Sequence, residues 1–469
     1  MRTAGDTIAA IATPLGEGGI SVIRISGDLA TTIAGEVFRG KTDLKSATSH
    51  TAHFGRVVDS GGNTIDEVVA TVFLEPNSYT GENTVEISCH GGVHVTKRIL
   101  ELILGSGARH AEPGEFTKRS FLNGKIDLSQ AEAVADLIRA RSDMAHRASV
   151  RQLEGTLSER IRGLRSGLID SVGLLELELD FVEENLEFVN KQRFQRRIED
   201  TNSEIDRLLE TFSAGRIYRE GIKIVIAGPP NAGKSSLMNA LLESNRAIVT
   251  DIPGTTRDTI EEGVNIGGVM IRLVDTAGLR ETEDTIEREG ITRTEKEALN
   301  SDIVVLVLDA SKPMDGSERD KVEEFLANLN RRSAKTVIVL NKCDLPTKIS
   351  RDSLGSLGRP EYRFGVVELS AKTGVGLKAL QQAVLDAAFS GKTDGFAEEP
   401  TVTNIRHFEA LRRTKESLDL ALESLRNGQS SEFAAVDLRS ALDSLGEITG
   451  EVTSEEILNN IFSKFCIGK

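Results

Sequence analysis

One stretch of sequence limits the fold more than any other. The residues IKIVIA (222–227) predict a buried strand, and SSLMNALL (235–242) predicts the start of a helix. Between them runs a glycine-rich turn with Gly228, Gly233, Lys234 and Ser235 at the spacing of a phosphate-binding loop. In such a loop, backbone N–H groups and the N-terminus of the helix surround phosphate oxygens. Strand, turn and helix in this order are typical of a mostly parallel α/β sheet.

The next motif along the chain, DTAG (275–278), follows the strand-like run VMIRLV. In a nucleotide site Lys234 would reach the β- and γ-phosphates as a catalytic residue, while the Ser235 hydroxyl would bind Mg²⁺. Asp275 would then hold Mg²⁺, and Gly278 would offer its N–H to the γ-phosphate. Taken alone, DTAG is equally a strand followed by a turn. The other predicted phosphate-loop contacts are Asn231, Ala232, Gly233 and Ser236.

A third motif, Asn341-Lys342-Cys343-Asp344, follows the strand-like run TVIVL. The Asp344 carboxylate can accept two hydrogen bonds from guanine N1–H and N2–H₂. Adenine has neither group there, and a site built around a buried acceptor rejects an analogue that leaves it unpaired. The segment Ser370-Ala371-Lys372 supplies a loop whose backbone can meet guanine O6. Together, and in this order, the motifs predict a guanine-nucleotide site.

Composition bounds the rest of the molecule. A chain of 469 residues is long enough for roughly two to four domains. A net charge of −15 means that any contact with RNA must use a local basic patch or a partner. Neither an N-terminal apolar region nor an 18-residue apolar run is found, and the three cysteines lie far apart. We therefore expect a soluble protein of the reducing cytoplasm.

Two long regions, 114–228 and 401–469, contain no proline and are predicted to be helical. Each holds a capping-box pattern before apolar residues, Ser129-x-x-Glu132 in the first and Thr453-x-x-Glu456 in the second. Between the two regions, strand-like runs near 222, 269, 303, 336 and 364 predict a mostly parallel nucleotide-binding sheet.

The fold class predicted is therefore multidomain. An N-terminal α+β domain covers 1–118, with strand-like runs at 7–12, 20–25, 68–74 and 84–88 and a helix near 93–104. An all-α domain is built from 119–216 and 386–469, and an α/β GTPase domain, 217–385, is inserted into it. A chain of separate helical hairpins is the alternative. Composition says nothing about the ligand of the N-terminal domain.

Three further segments join the nucleotide motifs in a resemblance to one family: TPLGEGGISVIRISG (13–27), PGEFTKRSFLNGKIDLSQAEA (113–133) and the terminal FCIGK (465–469). Over essentially its whole length the chain resembles the MnmE (TrmE) tRNA-modification GTPases. The resemblance implies a potassium-stimulated GTPase that dimerises through a folate-binding N-terminal domain. It also implies a heterotetrameric complex with the flavoprotein MnmG (GidA), which modifies C5 of the wobble uridine (U34) of certain tRNAs. The implied one-carbon donor is 5-formyl- or 5,10-methylene-tetrahydrofolate.

The residue that orients the attacking water is not evident from the motifs. After the DTAG glycine stands Leu279, whose alkyl side chain cannot orient water. Among the nearby acidic residues the resemblance selects Glu287 as the catalytic group. The alternative is structural, because Asp284-x-x-Glu287 has capping-box spacing and Glu287 would then stabilise a helix start.

No arginine that could supply positive charge at the phosphates is evident from the motifs either. The resemblance implies that a K⁺ ion held by Asn231 supplies it. A monovalent cation on the phosphate oxygens can supply that charge. Asn231 is equally a turn residue, and both roles are compatible. The stretch 247–257 is predicted to close over the ion. Thr256 is assigned to Mg²⁺ in the first switch, and Thr255 is the alternative.

In the N-terminal domain the resemblance places folate contacts at Arg24, Glu86 and Lys125, with the terminal Lys469 approaching from elsewhere in the chain. A carboxylate can pair with the N–H groups of a pterin, and cations can meet the glutamyl carboxylates. The alternative is that these are surface charges and local ion pairs. Cys466 is interpreted as a residue of the modification site, either reactive or only packed.

Two other functions compete with an enzyme that couples GTP hydrolysis to tRNA modification. One is a regulatory GTPase of ribosome assembly, because the nucleotide motifs alone do not separate the two. The other is a membrane-remodelling GTPase, which needs an amphipathic or apolar anchor that the sequence lacks. Folate binding by the N-terminal region would favour the first function over the ribosomal one.

Overall fold

The computed structural model describes residues 6–180, 191–244, 261–275, 297–298, 301–330, 335–349, 354, 365–389, 400–427 and 429–469. The chain divides into two compact units. The first contains Met1–Ala135, Gln152–Ile198 and Glu416–Lys469. The second contains Asp136–Arg151 and Glu199–Lys415.

The first unit holds a seven-stranded sheet in the order β3-β4-β5-β6-β2-β1-β7. Its strands are β1 (Ile8–Ile11), β2 (Gly18–Ser26), β3 (Phe38–Gly40), β4 (Thr51–Val58), β5 (Thr64–Phe73), β6 (Thr84–Gly91) and β7 (Arg109–His110). The pair β1–β7 is parallel and the other pairs are antiparallel. The runs predicted at 7–12, 20–25, 68–74 and 84–88 each overlap one of these strands, with bounds that differ by one residue at 7–12 and 68–74.

One face of this sheet packs against α1 (Ala30–Val37) and α2 (Val93–Gly105). Because side chains alternate along a strand, Ile23 and Ile25 of β2 point into this core together with Ile87 of β6. Arg24 and Glu86, one residue away along their strands, therefore lie on the opposite face. The helix predicted near 93–104 is confirmed as α2.

Helices make up the rest of this unit and extend into the second. They are α3 (Glu115–Leu122), α4 (Leu128–Arg139), α5 (Asp143–Glu154), α6 (Thr156–Asp180), α7 (Lys191–Glu220), α11 (Ile405–Arg426), α12 (Ser431–Thr449) and α13 (Glu455–Phe462). The helical prediction for the two proline-free regions is confirmed over most of their described residues, while Ile222–Ala227 at the end of the first region form a strand. None of the helices in the described part of the chain is long and apolar enough to cross a membrane.

Two long helices of the first unit, α6 and α12, pack in antiparallel directions. Arg165 near the start of α6 pairs with Glu451, just beyond the end of α12, and Glu176 near the end of α6 pairs with Arg439. The short α13 covers the start of α4, where Leu128 and Ala131 form a small core with Phe462 and other apolar residues of the C-terminus. The terminal segment is thus held in place by buried apolar area.

Both capping boxes predicted from the sequence are wrong by one or two positions. Ser129 lies inside α4, and its buried hydroxyl has no hydrogen-bond partner. The cap is instead Asp127, which accepts from Gln130 N while its own N–H donates to Gln130 Oε1, both at 2.9 Å. At α13 the cap is Ser454 rather than Thr453, whose hydroxyl is also buried without a partner. In each case a neighbouring polar residue is the cap, because its side chain accepts a hydrogen bond from an unpaired backbone N–H of the first helical turn.

The second unit holds a six-stranded sheet in the order β13-β12-β11-β8-β10-β9. Its strands are β8 (Ile222–Ala227), β9 (Glu261–Ile266), β10 (Val269–Asp275), β11 (Ile303–Asp309), β12 (Lys335–Asn341) and β13 (Val366–Glu368), with helices α8 (Lys234–Ser244), α9 (Gly316–Asn330) and α10 (Leu377–Phe389). All pairs are parallel except β9–β10. The five predicted strands are confirmed. The edge strand β9 was missed because EEGVNI lacks the apolar run of a strand buried on both faces.

The strand order reverses at β8, which lies between β10 and β11. In open α/β sheets, ligands bind outside the carboxyl ends of the strands at such a reversal. The phosphate loop follows the carboxyl end of β8, and Asp275, Asp309 and Asn341 close the neighbouring strands β10, β11 and β12. The fold therefore gathers these loop and strand ends at one edge of the sheet.

Candidate functional site

Three residues of the phosphate loop have a positive φ, a backbone conformation that glycine and asparagine adopt more readily than other residues. Gly228 has φ +143°, and a Cβ there would lie 2.1 Å from Val307 O on β11. Gly233 has φ +95°, and a Cβ there would lie 2.2 Å from the side-chain amide nitrogen of Asn341. Asn231 is also left-handed, with φ 59°, a conformation that asparagine tolerates better than most residues. The two glycines thus permit close approach of β11 and β12 to the loop.

Lys234 begins α8 and turns back across the loop. Its ammonium donates to Gly228 O (3.0 Å) and Pro229 O (2.9 Å). Ser235 and Ser236 are exposed in the first turn of the helix, where the N-terminus carries partial positive charge. The loop therefore brings an ammonium, a helix N-terminus and two exposed serines together at consecutive positions, a combination that suits a phosphate and its Mg²⁺.

Asn341 joins the phosphate side of the site to the base side. It is 2% exposed, and its Nδ2 donates to Ala232 O at 2.9 Å. Its Oδ1 accepts from Ala371 N at 3.0 Å. One buried side chain thus ties the phosphate loop to the Ser370-Ala371-Lys372 loop.

Asp344 is exposed at the base side, with one oxygen already held. The hydroxyl of Ser370 donates to Asp344 Oδ1 at 2.6 Å and keeps the pKa of that carboxyl below its usual range. Ser370 itself is buried, and its Oγ also accepts from Thr373 N. The carboxylate is therefore ionised and fixed in direction, as an acceptor for guanine N–H groups must be. Lys372 is exposed beside it.

Lys342 makes contacts that the sequence did not reveal. It is left-handed, with φ 67°, and its ammonium donates to Asn231 O (2.7 Å) and to Asp309 Oδ2 (2.6 Å). Asp309 was not among the predicted site residues. Its signal in the sequence was a carboxylate directly after the apolar run IVVLVL, because the carboxyl ends of parallel strands meet at the site.

Of five further predicted residues of this site, the structure describes only the backbone of one. The backbone of Asp275 closes β10 in register with Ile226 of β8, which places it at the same sheet edge, but its side chain is outside the described part of the chain. Thr255, Thr256, Gly278 and Glu287 also lie outside the described residues. Their assigned roles stay predictions.

A second cluster of predicted residues lies in the first unit. Arg24 and Glu86 are opposite each other on β2 and β6, and Glu86 Oε1 accepts from Arg24 Nε (2.8 Å) and Nη2 (2.7 Å). The guanidinium lies between two rings, 5.3 Å from the centroid of Tyr79 and 5.6 Å from that of Phe116. The two predicted folate contacts thus bind each other, and the pair has an aromatic surface beside it.

The other two predicted folate residues are held mainly by backbone groups. Lys125 donates to Pro76 O at 3.0 Å, at the loop that carries Tyr79. Lys469 N lies 3.4 Å from Cys466 O, and Gly468 (φ +94°) lies so close to β1 that a Cβ would be 2.2 Å from Ile11 O. The C-terminus therefore reaches the end of the strand that pairs with β2. Cys466 is exposed, and its carbonyl accepts from Gly114 N.

Comparisons with known proteins identify the family of the chain. The family model of the GTP-binding protein TrmE N-terminus matches residues 7–125, and the MnmE helical domain model matches residues 128–466. The tRNA modification GTPase MnmE of Thermoanaerobacter pseudethanolicus is 43% identical over 467 residues, which is 99% of each chain. That of Pediococcus pentosaceus is 43% identical over 471 residues, 100% of this chain and 99% of the relative.

Among solved structures, the G domain of the T. maritima FeoB iron transporter is 26% identical and covers 36% of this chain and 98% of that one. Its TM-score of 0.26 is too low to support a structural argument. The two family models together cover the chain almost from end to end, and the identity to the full-length relatives is high. The chain belongs to the MnmE (TrmE) family of tRNA modification GTPases.

Proposed function

We propose that this GTPase reads guanine with Asp344, cleaves GTP in the phosphate loop and uses the cycle to drive modification of tRNA. The observation that carries the proposal is the tie made by Asn341, which joins the loop of Ser370 to Ala232 of the phosphate loop. A base held by Asp344 and phosphates held at Lys234 would thus lie on one connected frame. Such preorganisation is what phosphoryl transfer requires of a protein.

At the phosphates, the residues of this chain divide the work. Lys234 would exchange its two carbonyl partners for phosphate oxygens, and Ser235 would hold Mg²⁺, which supplies positive charge to the transferred group. Asn231 is proposed to hold K⁺, since it is an exposed residue of the same loop. Glu287 is proposed to orient the attacking water, with Thr256 completing the Mg²⁺ site.

In the N-terminal domain we propose a tetrahydrofolate derivative at the Arg24–Glu86 pair. Glu86 can accept from the N–H groups of a pterin, and the partly exposed ring of Tyr79 offers apolar surface. Lys125 and Lys469 would supply positive charge for the glutamyl carboxylates. The donor set fits the ligand because a carboxylate, cations and one accessible aromatic ring lie in the same unit.

The same sheet face supports the proposed homodimer. Phe54 on β4 and Val69 on β5 are opposite each other, and they are 67% and 38% exposed. Both lie on the face of Arg24 and Glu86, away from the core formed with α1 and α2. An exposed apolar pair beside a charged pair is the kind of surface that a second copy can cover.

Hydrolysis of GTP by itself transfers no carbon, so the carbon chemistry needs other components. We propose that the folate supplies the one-carbon unit and that the flavoprotein MnmG (GidA) acts with this chain at C5 of U34, in the cytoplasm where tRNA is used. We further propose the division into an N-terminal domain (1–118), a helical domain (119–216 with 386–469) and a GTPase domain (217–385).

The proposal is tested by the wobble uridines of tRNA from cells that lack this chain. Mass spectrometry of tRNA nucleosides should show loss of the C5-modified uridines and their return with the wild-type gene. The Asp315→Asn gene should restore them equally, because Asp315 only caps α9 through Glu318 N and asparagine caps as well. Unchanged wobble uridines together with accumulated ribosomal precursors would favour the ribosome-assembly function instead.

A further inference from the structure

Asp309 is held on both of its carboxylate oxygens. Oδ2 accepts from the Lys342 ammonium at 2.6 Å, and Oδ1 accepts from Ser311 N (3.0 Å) and Ser311 Oγ (2.6 Å). The side chain is 13% exposed. Its strand β11 is in register with β12, so that Asp309 is paired with Asn341, the residue before Lys342. The carboxylate is thus fixed by the sheet on one side and by a turn on the other.

Burial would raise the pKa of Asp309, but the hydrogen bonds and charge of Lys342 and the bonds from Ser311 outweigh it, and the pKa lies below its usual range. The carboxylate is therefore ionised at neutral pH. The contact with Lys342 is a short, charge-assisted hydrogen bond in a partly buried place, where such bonds are stronger than on an open surface.

The same ammonium reaches the phosphate loop. In the described part of the chain three residues other than glycine have φ in the left-handed region: His50, Asn231 and Lys342. Two of these three are joined directly, because Lys342 Nζ donates to Asn231 O at 2.7 Å. A side chain makes this conformation unfavourable, and it persists only where surrounding contacts hold it. Lys342 holds Asn231, and Asp309 holds Lys342.

Asn231 stands at a position where a small movement would disturb phosphate binding. The carbonyl of the next residue, Ala232, accepts a hydrogen bond from Asn341 Nδ2. Gly233 follows, and Lys234 begins α8. A rotation of the peptide at Asn231 would therefore redirect the N–H groups of the loop. On the other side, Lys342 lies within the segment that ends in Asp344.

We propose that Asp309 is a positioning residue of the guanine-nucleotide site, which acts through Lys342 to hold the Asn231 turn of the phosphate loop in its binding conformation. It makes no contact with the nucleotide itself. The proposal rests on the GTP-binding part of the proposed function and is independent of tRNA, folate and dimer formation.

The test is the Asp309→Asn variant of the full chain, which keeps the size of the side chain and removes its charge. We expect the KM for GTP and the Kd for a fluorescent GDP analogue to rise about tenfold, the usual effect of losing a charged hydrogen-bond partner. We expect kcat to stay within about twofold, because transition-state contacts are untouched. Damage to the fold alone would instead lower kcat and leave KM unchanged.

The matched control is Asp315→Asn, the same chemical change six residues further on, which should bind like the wild type. Against a Lys342→Met background, Asp309→Asn should weaken binding by less than about twofold more, because both residues act through one contact. The inference is overturned if Asp309→Asn binds GDP within about twofold of the wild type, or if the two losses multiply. If the wild type itself fails to bind guanine nucleotides, the proposed function fails first.

Discussion

At the scale of single residues, the site depends on side chains whose direction is fixed by a neighbour. Ser370 holds one oxygen of Asp344, Asn341 is bonded at both ends of its amide, and Arg24 is held by Glu86 between two rings. Each of these residues was predicted from a motif or a resemblance. The pairing that fixes each one was not predicted, since the two partners lie tens to hundreds of positions apart or in different motifs.

Asp344 should determine the choice of base. Asp344→Asn replaces the acceptor for guanine N1–H and N2–H₂ by an amide, and we expect GTP affinity to fall about 10- to 100-fold. Binding of xanthosine triphosphate should rise, because its C2 oxygen suits an amide donor. Competition titrations with GTP, xanthosine triphosphate and ATP measure this. Equal competition by GTP and ATP for the wild-type chain would disprove the assignment of the base.

Glu287 should affect turnover and leave binding alone. For Glu287→Ala we expect kcat to fall about a hundredfold, the usual effect of removing a group that orients or activates water. The Kd for GTP should stay nearly unchanged, as measured by titration. Glu283→Ala is the matched control in the same stretch and should hydrolyse GTP normally.

If Glu287 only caps a helix, the outcome is different. A lost cap costs about 1 kcal/mol of stability, so Glu287→Ala would hydrolyse GTP at the wild-type rate in the cold and unfold at a lower temperature. Normal turnover of Glu287→Ala would therefore establish the capping role.

At the scale of elements, the ends of helices show where local sequence rules fail. A Ser-x-x-Glu pattern predicted a cap at Ser129, yet the cap is Asp127, two residues earlier, and α4 begins at Leu128. The capping-box pattern depends only on the spacing of residues in the sequence. Where the helix begins is decided by burial of Leu128 and Ala131 against Phe462, and this turns Ser129 into the core. By contrast, the strands buried on both faces were predicted correctly, because a continuous apolar run is visible within the strand's own sequence.

This difference gives a prediction about stability. Asp127→Ala removes the carboxylate that accepts from Gln130 N and should lower the stability of the chain by about 1 kcal/mol. The exposed ion pair of Asp127 with Arg162 adds little. Ser129→Ala removes a buried hydroxyl that has no partner and should be neutral or slightly stabilising. Thermal unfolding of the full-length variants compares the two midpoints. A larger loss for Ser129→Ala than for Asp127→Ala would contradict the observed cap.

At the scale of the whole molecule, hydrolysis should depend on the salt and on the dimer. If K⁺ at Asn231 supplies the charge of an arginine, hydrolysis should be roughly tenfold or more faster in KCl than in NaCl. If the N-terminal domains form a constitutive dimer, association of the two GTPase domains is intramolecular. The rate of GTP hydrolysis per chain should then not change on dilution. Hydrolysis assays across a dilution series in both salts measure the two effects.

The matched variants separate these causes. Phe54→Glu places a charge on the exposed apolar pair and should make the rate in KCl fall on dilution. Phe433→Glu, at another exposed phenylalanine of the same unit, should not. Equal rates in the two salts would eliminate the cation mechanism, and a wild-type chain that is monomeric by light scattering would eliminate the dimer.

The sequence by itself determined the nucleotide motifs, the family, the parallel sheet and the helical regions. These features are local: the spacing of Gly228, Gly233 and Lys234 is set by one strand, one turn and one helix. Strands buried on both faces and proline-free helices likewise carry their signal within a few residues of each other. Nothing outside such a segment is needed to recognise it.

Only the tertiary structure decided which distant groups bind each other. Lys342 reaches Asn231, 111 positions away, and Asp309, 33 positions away. Arg24 pairs with Glu86 across 62 positions. These contacts depend on strand order and register, which are fixed by burial of the sheet faces over each whole sheet and by the close approach that glycines allow. No local pattern contains that information, and so the role of Asp309 came from the folded chain.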